Sequence, residues 1–281
     1  MRFNQGLGVS ISPTRGAGIR FDDQAESFDQ RAGLPQQACR EIALRLSELT
    51  ALETGDLLLD IGAGTGEIGA EIARLRTRYA SLDLSLPMLR VFQRRLDGMP
   101  APASLIVADA NAGWPIADGC VRAIFGSRSF HLLSTDHLIQ EALRVRSRRG
   151  ALLVIGRVRR DSQAVKATMR REMLRLLGAN APGSNTGEGR SRLLIEALVA
   201  RGAVALDPLV AARWTATHSA ADSLNSWRSK PGLGGTSVPE PLKNEILSKL
   251  EKWAREAFQD LDLRVQSAEH YVLEGVRLPA A

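Results

Sequence analysis

The stretch Leu57-Leu58-Leu59-Asp60-Ile61-Gly62-Ala63-Gly64-Thr65-Gly66-Glu67 decides how this chain reads. Thr54-Gly55-Asp56 ahead of it is a turn signal, and the short apolar run is the pattern of a strand buried in a parallel sheet. The alternating glycines mark a sharp turn. Glycine serves where φ must be positive, or where no side chain can stand between backbone and ligand. Ile68, Ile72 and Leu75 then recur at helical spacing. A strand, a glycine turn and a helix in that order leave free N–H groups and a positive dipole end at the turn. A dinucleotide loop would read GxGxxG, but here Glu67 occupies the place of its last glycine, and a carboxylate there opposes a pyrophosphate. With Asp60 two places before the first glycine, the turn suits a ligand with a positive end, such as an amino acid or a sulfonium.

Working outward, a helix is predicted over about 35 to 49, with Ala38, Ile42, Leu46 and Leu49 on one face. Tyr79 to Leu84 reads as a second strand, and Ser85 caps a helix carrying Met88, Leu89, Phe92 and Leu96. Ala103 to Ala108 and Val121 to Phe125 read as the third and fourth strands. Ser134 opens a helix with Leu138, Ala142 and Val145 inside, and Ala151 to Ile155 is a fifth strand. Strands alternating with helices predict an α/β fold with a parallel sheet covered on both faces. Beyond Arg157 come a helix-like stretch, a glycine- and serine-rich loop at 181–187 and a helix over Ser191 to Gly202. A strand over Val204 to Thr217 and a loop over Ser229 to Pro241 follow. A helix marked by Leu242, Ile246, Leu250, Trp253 and Ala257 precedes a last strand, Tyr271 to Leu278.

Two further acids end strands. Asp83 lies twenty-one residues after Gly62, about the interval at which a second-strand carboxylate meets a ribose diol. Asp109 ends the third strand between Ala108 and Ala110, where it could accept from an adenine amino group while a neighbouring backbone N–H reads a ring nitrogen. Three acids at successive strand ends converge on the sheet edge where open α/β sheets bind ligands.

This ordered set resembles the class I S-adenosylmethionine-dependent methyltransferases, in the broad group that includes quinone-ring and natural-product methylases. The resemblance covers about residues 50 to 157, with looser support from 191 to 217 and 269 to 278. It implies a Rossmann-like, seven-stranded, mostly parallel sheet with an antiparallel last strand, and S-adenosylmethionine as cofactor. In that family the acid and glycine loop holds the methionine part, here Asp60, Gly62, Ala63, Gly64 and Gly66. The acid ending strand two holds the ribose, here Asp83 with Leu84 beside it, and Asp109 with Ala110 faces the adenine. The fourth-strand loop, Gly126-Ser127-Arg128-Ser129-Phe130-His131, implies a cofactor contact at Ser127.

Substrate contacts must come from elsewhere. His131 is a candidate base or positioner, since its ordinary pKa lies near neutrality. Arg128 could hold a carboxylate or phosphate in its fork, and Trp227 lies in one of two expected helical lid insertions, about 158–189 and 218–262. The domain reading is a flexible leader over 1–20, where Gly6, Gly8, Pro13, Gly16 and Gly18 oppose an amphipathic targeting helix, followed by a single methyltransferase domain over 21–281. The segment around Phe21 to Leu34 is expected beside the substrate.

Composition narrows the rest. The chain has 281 residues, 44% hydrophobic, with a net charge of +6, so a sizeable core is available and a wholly disordered reading is excluded. Two distant cysteines, Cys39 and Cys120, exclude a disulfide framework and a Cys-rich zinc site, so no metal is expected and the cytoplasm is the expected location. No apolar run reaches the length of a membrane span. The fourth strand carries neither a Pro-Cys nor an Asp/Asn-Pro-Pro-aromatic motif, which disfavours base methylation by those routes. Arginine runs at 144–149 and 157–160 could meet a polyanion, but no aromatics interleave with them, so nucleic acid is disfavoured. The leading expectation is methyl transfer to a small organic molecule, on oxygen, by in-line displacement. Carboxyl methylation of an acyl group on an acidic carrier protein, and a non-catalytic cofactor-binding protein, are the alternatives.

Overall fold

The computed structural model describes residues 9–11, 22–29, 33–75, 78–98, 103–178, 187–230, 232–233 and 237–280. The strands are β1 (Val9–Ile11), β2 (Leu57–Ile61), β3 (Arg78–Asp83), β4 (Ala103–Val107), β5 (Val121–Ser127), β6 (Leu152–Arg160), β7 (Val204–His218) and β8 (Val265–Arg277). The helices are α1 (Gln36–Thr50), α2 (Gly69–Arg74), α3 (Leu86–Leu96), α4 (Thr135–Val145), α5 (Val165–Leu177), α6 (Gly187–Val199), α7 (Ala220–Arg228) and α8 (Glu240–Phe258). The chain divides into two compact units. One comprises Met1–Arg157, Gly187–Ala212 and Tyr271–Ala281, the other Val158–Thr186 and Arg213–His270. The expected insertions overlap the second unit in sequence.

The strand order is β1-β4-β3-β2-β5-β6-β8-β7. Seven of these strands make the expected mixed sheet with helices around it. The eighth is a three-residue addition from the stretch read as a leader, pairing in parallel with β4 through Val9 and Leu105. β2 pairs in parallel with β3 and β5, so the Asp60 strand lies inside the sheet. β8 runs against β6: the Leu278 N–H donates to the Ala151 carbonyl at 2.9 Å, while Gly275, earlier in β8, faces Leu153.

Alternation along the strands divides two apolar layers. Leu59, Ile61, Leu82, Ile124 and Leu153 pack with Leu138 and Ala142 of α4 and Leu194 and Leu198 of α6. Tyr79 meets Phe92 of α3 edge to face, with ring centroids 5.9 Å apart. Each such large apolar side chain contributes about 2 kcal/mol through burial. Ser85 caps α3 as expected, its Oγ accepting from the Met88 N–H at 3.3 Å. Ser134 stands at the N-cap of α4 but makes no side-chain cap bond.

The second unit has its own apolar cluster, in which Met169 and Met173 of α5 meet Leu224 of α7 and Ile246 and Leu250 of α8. Helix α7 is absent from the sequence reading, although Ser219 and Asp222 form a capping box at its start. The inner face of α8 holds Ile246 and Leu250 as expected, with Leu242 and Trp253 packed at its edge; Leu247 and Ala254 are buried as well, and Ala257 is exposed. Lys243 is buried there because its ammonium donates to the Lys230 carbonyl at 2.6 Å. The loop at 181–187 falls mostly outside the described residues.

The arginine runs are largely engaged within their own units. Arg144 holds Glu141 at 2.7 Å, Asp118 at 2.6 Å and the Trp114 carbonyl at 2.9 Å. Arg149 pairs with Glu53 and buried Asp56, and Arg157 with Glu274 at 3.0 Å. Among the described residues no helix is long and apolar enough to cross a membrane, and no His/Cys/Asp/Glu group could hold a metal ion.

A Cβ on Gly275 would collide with the Leu153 backbone carbonyl, whereas one on Gly113 would meet nothing within 4 Å. Gly275→Ala is therefore expected to lower the unfolding free energy by about 1–3 kcal/mol, and Gly113→Ala to change it by less than about 0.5 kcal/mol. Equal denaturant midpoints for the two variants would contradict the β6–β8 register.

Candidate active site

The first unit holds a cavity of about 360 Å³ at the carboxyl ends of β2, β3, β4 and β5. Asp60, Gly62, Ala63 and Gly64 line it from the first turn, Asp83 and Leu84 from the second, Asp109 and Ala110 from the third, and Ser127, Arg128 and His131 from the fourth. Phe28 and Leu133 add apolar wall. Phe21 lies outside the described residues.

The glycine turn is built from both sides. Gly62, Gly64 and Gly66 have φ of 72°, 57° and 73°, the left-handed region that a side chain resists. The space in front of them differs. A Cβ on Gly66 would enter the Phe92 ring, so Gly66 serves packing, whereas one on Gly64 would meet nothing within 4 Å. Gly64 thus presents bare backbone beside the cavity. The Ser129 hydroxyl donates to the Ile61 carbonyl at 2.5 Å and ties the fourth loop to the end of β2.

Each acid is held differently. Asp60 is 3% exposed, and its Oδ2 accepts from the Tyr79 hydroxyl at 2.6 Å. Its Oδ1 is buried with no hydrogen-bond partner among the described residues. Burial pushes its pKa up to about 7, against the Tyr79 hydrogen bond, with Asp83 adding to the rise. Asp83 accepts from the Gly64 N–H on Oδ2 and from the Ser85 N–H on Oδ1, both at 2.8 Å. Burial raises its pKa, and these two backbone bonds oppose the rise. Asp109 accepts from the Asn111 N–H at 2.8 Å, an Asx turn that aims the loop after β4.

The fourth loop carries the polar groups opposite. Arg128 has φ of 58°, unusual for a residue with a side chain, and its guanidinium lies 2.5 Å from Glu67. Glu67 also accepts from the Leu34 N–H at 2.8 Å. The carboxylate at the last-glycine position is thereby committed to Arg128 and to the chain before α1. Burial raises the Glu67 pKa, and Arg128 opposes the rise. The His131 imidazole makes no hydrogen bond among the described residues, while its backbone carbonyl accepts from Arg190 at 2.6 Å. Burial, then Arg190 and Arg157, push its pKa below the usual histidine range, so the ring is neutral at pH 7. Ser127 accepts from the Tyr271 hydroxyl of β8 at 2.6 Å. Trp227, by contrast, belongs to the second unit, where it packs on that unit's apolar cluster.

Sequence reasoning did not assign Tyr79 to Asp60, Tyr271 to Ser127 or Arg128 to Glu67. Each partner is distant in the chain, so only the strand order brings them together.

Residues 58–150 match the sequence profile described as a methyltransferase domain. Over those residues the chain is similar to methyltransferase domains. Over 145 residues it is 30% identical to a demethylmenaquinone methyltransferase of Thermobifida fusca, covering 50% of this chain and 60% of that protein. Over 139 residues it is 31% identical to a malonyl-[acyl-carrier protein] O-methyltransferase of a Marinomonas species, covering 48% and 49%. The chain spans less than two thirds of the length of these curated relatives. A solved Bacillus halodurans structure, described as a candidate methyltransferase, shares the fold at a TM-score of 0.54 and 15% identity, covering 84% of this chain and 98% of that one.

S-adenosylmethionine is the cofactor that the sequence resemblance implies, and the residues present fit it. A buried acceptor oxygen on Asp60 has no donor among the described residues, and the bare Gly64 backbone stands in the same cavity. Such a pair suits a ligand that brings a positively charged donor.

A carboxyl whose pKa rises on folding favours the folded state most at low pH, and that contribution is lost as pH climbs. For Asp60 the window runs from about 4, the unfolded value, to about 7. The free protein should therefore lose stability between these limits relative to Asp60→Asn. Unfolding measured across pH 4–8 checks this, and parallel curves for the two proteins would show that the Asp60 pKa is not raised.

Proposed function

We propose that this protein methylates a small organic molecule on oxygen. The observation that carries the reading is the convergence of Asp60, Asp83 and Asp109, at three successive strand ends, on one cavity floored by the Gly64 backbone. In this reading Asp60, Gly62, Ala63 and Gly64 hold the methionine end of the cofactor, and Gly66, packed on Phe92, fixes the turn behind them. Asp83, with Leu84, accepts from the ribose hydroxyls. A carboxylate has about four lone-pair positions, and Asp83 uses one on each oxygen for backbone N–H groups. Asp109 and Ala110 face the adenine, and Ser127 borders the cofactor.

The bound cofactor supplies a methyl group on a sulfonium, already activated for in-line displacement. What remains for the protein is alignment, exclusion of water and the fate of one proton. His131 lines the same cavity with a neutral imidazole, the state needed to take a proton from a hydroxyl. That supports oxygen as the acceptor atom. Arg128 is held by Glu67 at the cavity wall, where its charge suits an acidic substrate.

Methylation of an acyl group on a carrier protein is the second reading, favoured by the similarity to the malonyl-[acyl-carrier protein] O-methyltransferase. Against it, much of the arginine surface that would meet an acidic carrier is engaged internally.

Asp83→Ala removes the ribose acceptor and strands two backbone N–H groups. Its affinity for S-adenosylhomocysteine should fall by about tenfold or more, read by calorimetry. Unchanged affinity would contradict the ribose assignment. With a labelled-methyl assay on cell extract as the source of acceptor, His131→Ala should lower turnover about a hundredfold and leave S-adenosylhomocysteine affinity intact. Activity on a small-molecule fraction that is insensitive to salt supports the first reading. Activity confined to the protein fraction and suppressed by salt supports the carrier.

A further inference from the structure

Strand β8 reaches the cavity wall through one hydroxyl. Tyr271 is fully buried in the first unit, and its hydroxyl lies 2.6 Å from Ser127 Oγ at the end of β5. The strand between them makes room for it. Gly156 of β6 stands opposite Ser127 in register, and a Cβ there would collide with the Tyr271 hydroxyl. The contact is therefore built across three adjacent strands.

The direction of the bond follows from what each hydroxyl can find. Among the described residues the phenol has no acceptor other than Ser127, and a buried donor left unpaired is costly. Burial raises the Tyr271 pKa, against the Ser127 hydrogen bond, so the phenol keeps its proton at neutral pH. Tyr271 therefore donates. Ser127 accepts on one lone pair and keeps its own O–H, for which the described residues supply no acceptor. Ser127 lines the cavity, so that proton is offered to a ligand. A hydroxyl whose oxygen already accepts a bond is polarised and donates more strongly.

Strand register indicates which ligand group this donor faces. Asp60 of β2 pairs with Phe125 of β5. Ser127, two places further on, points to the same face of the sheet as Phe125, and hence as Asp60. Asp60 brings a buried oxygen with no donor among the described residues, and Ser127 brings a donor with no acceptor. An α-amino acid end, with one ammonium and one carboxylate, answers both.

We propose that Tyr271 is a positioning residue for the amino-acid end of the cofactor: it fixes the Ser127 hydroxyl so that its O–H donates to the ligand carboxylate, while Asp60 takes the ammonium. This role rests on the proposed seating of S-adenosylmethionine in the cavity.

The test uses the full chain and calorimetry with two probes. One is S-adenosylhomocysteine; the other is its decarboxylated amine, which keeps the ammonium, ribose and adenine but has no carboxylate. Ser127→Ala should weaken S-adenosylhomocysteine about tenfold, and Tyr271→Phe about three- to tenfold. The double variant should bind about as Ser127→Ala does, because the two hydroxyls act as one unit. The amine should bind the parent and all three variants within about twofold, whereas a merely structural role would weaken both probes alike. Three results would each overturn the role while leaving the cofactor site intact: unchanged S-adenosylhomocysteine affinity in Tyr271→Phe, losses that multiply in the double variant, or equal losses for the amine. Failure of both probes to bind the parent would instead overturn the cofactor seating, and this role with it.

Discussion

The turn from β2 into α2 is the constraint on which the site depends. Its backbone passes through left-handed φ at Gly62, Gly64 and Gly66, and two of these glycines are also pressed by neighbours: Gly62 by Ser129 and Gly66 by Phe92. The middle one faces open space. A turn held on both flanks and bare at its centre is rigid where it must be and accessible where a ligand would approach. Phe92 in turn stacks on Tyr79, whose hydroxyl holds Asp60. One chain of contacts therefore runs from the core of α3 through the aromatic pair to the acid beside the turn.

The electrostatics of the cavity follow from that packing. Three carboxylates sit at its rim, two of them with pKa values raised by burial. Asp83 is compensated by backbone N–H groups, whereas one oxygen of Asp60 is left without a donor. Such an atom is costly in the free protein and becomes favourable only when a donor arrives. Opposite, Arg128 pairs with Glu67, the carboxylate that distinguishes this loop from a pyrophosphate-binding one. The strained backbone of Arg128, at φ of 58°, is where the fourth loop bends to make that pair.

The second unit has a separate logic. Its helices α5, α7 and α8 close their own apolar cluster, and Arg160 and His218 meet the buried Glu269. A surface run of arginine is ordinarily a solvated face. Here Arg144, Arg149, Arg157 and Arg160 each find a carboxylate, so the basic character that the sequence displays is mostly spent on internal pairs.

Local chemistry was readable from the residues alone. The alternation of apolar runs and glycines located β2 to β6 and the helices between them, because strand, turn and helix each impose their own spacing on side chains. Asp60, Asp83 and Asp109 could be placed on one edge because parallel strands present all their carboxyl ends to the same side. Other features had no such signature. The burial of Leu247 and Ala254 beside the expected face of α8 reflects what the helix packs against, and a buried Lys243 depends on carbonyls from another loop. Tyr79, Tyr271 and Glu67 acquire their roles from residues 19, 144 and 61 positions away. Side-chain spacing is a property of the chain, but which polar group answers which is decided by strand order and helix docking, and those exist only once the tertiary structure has formed.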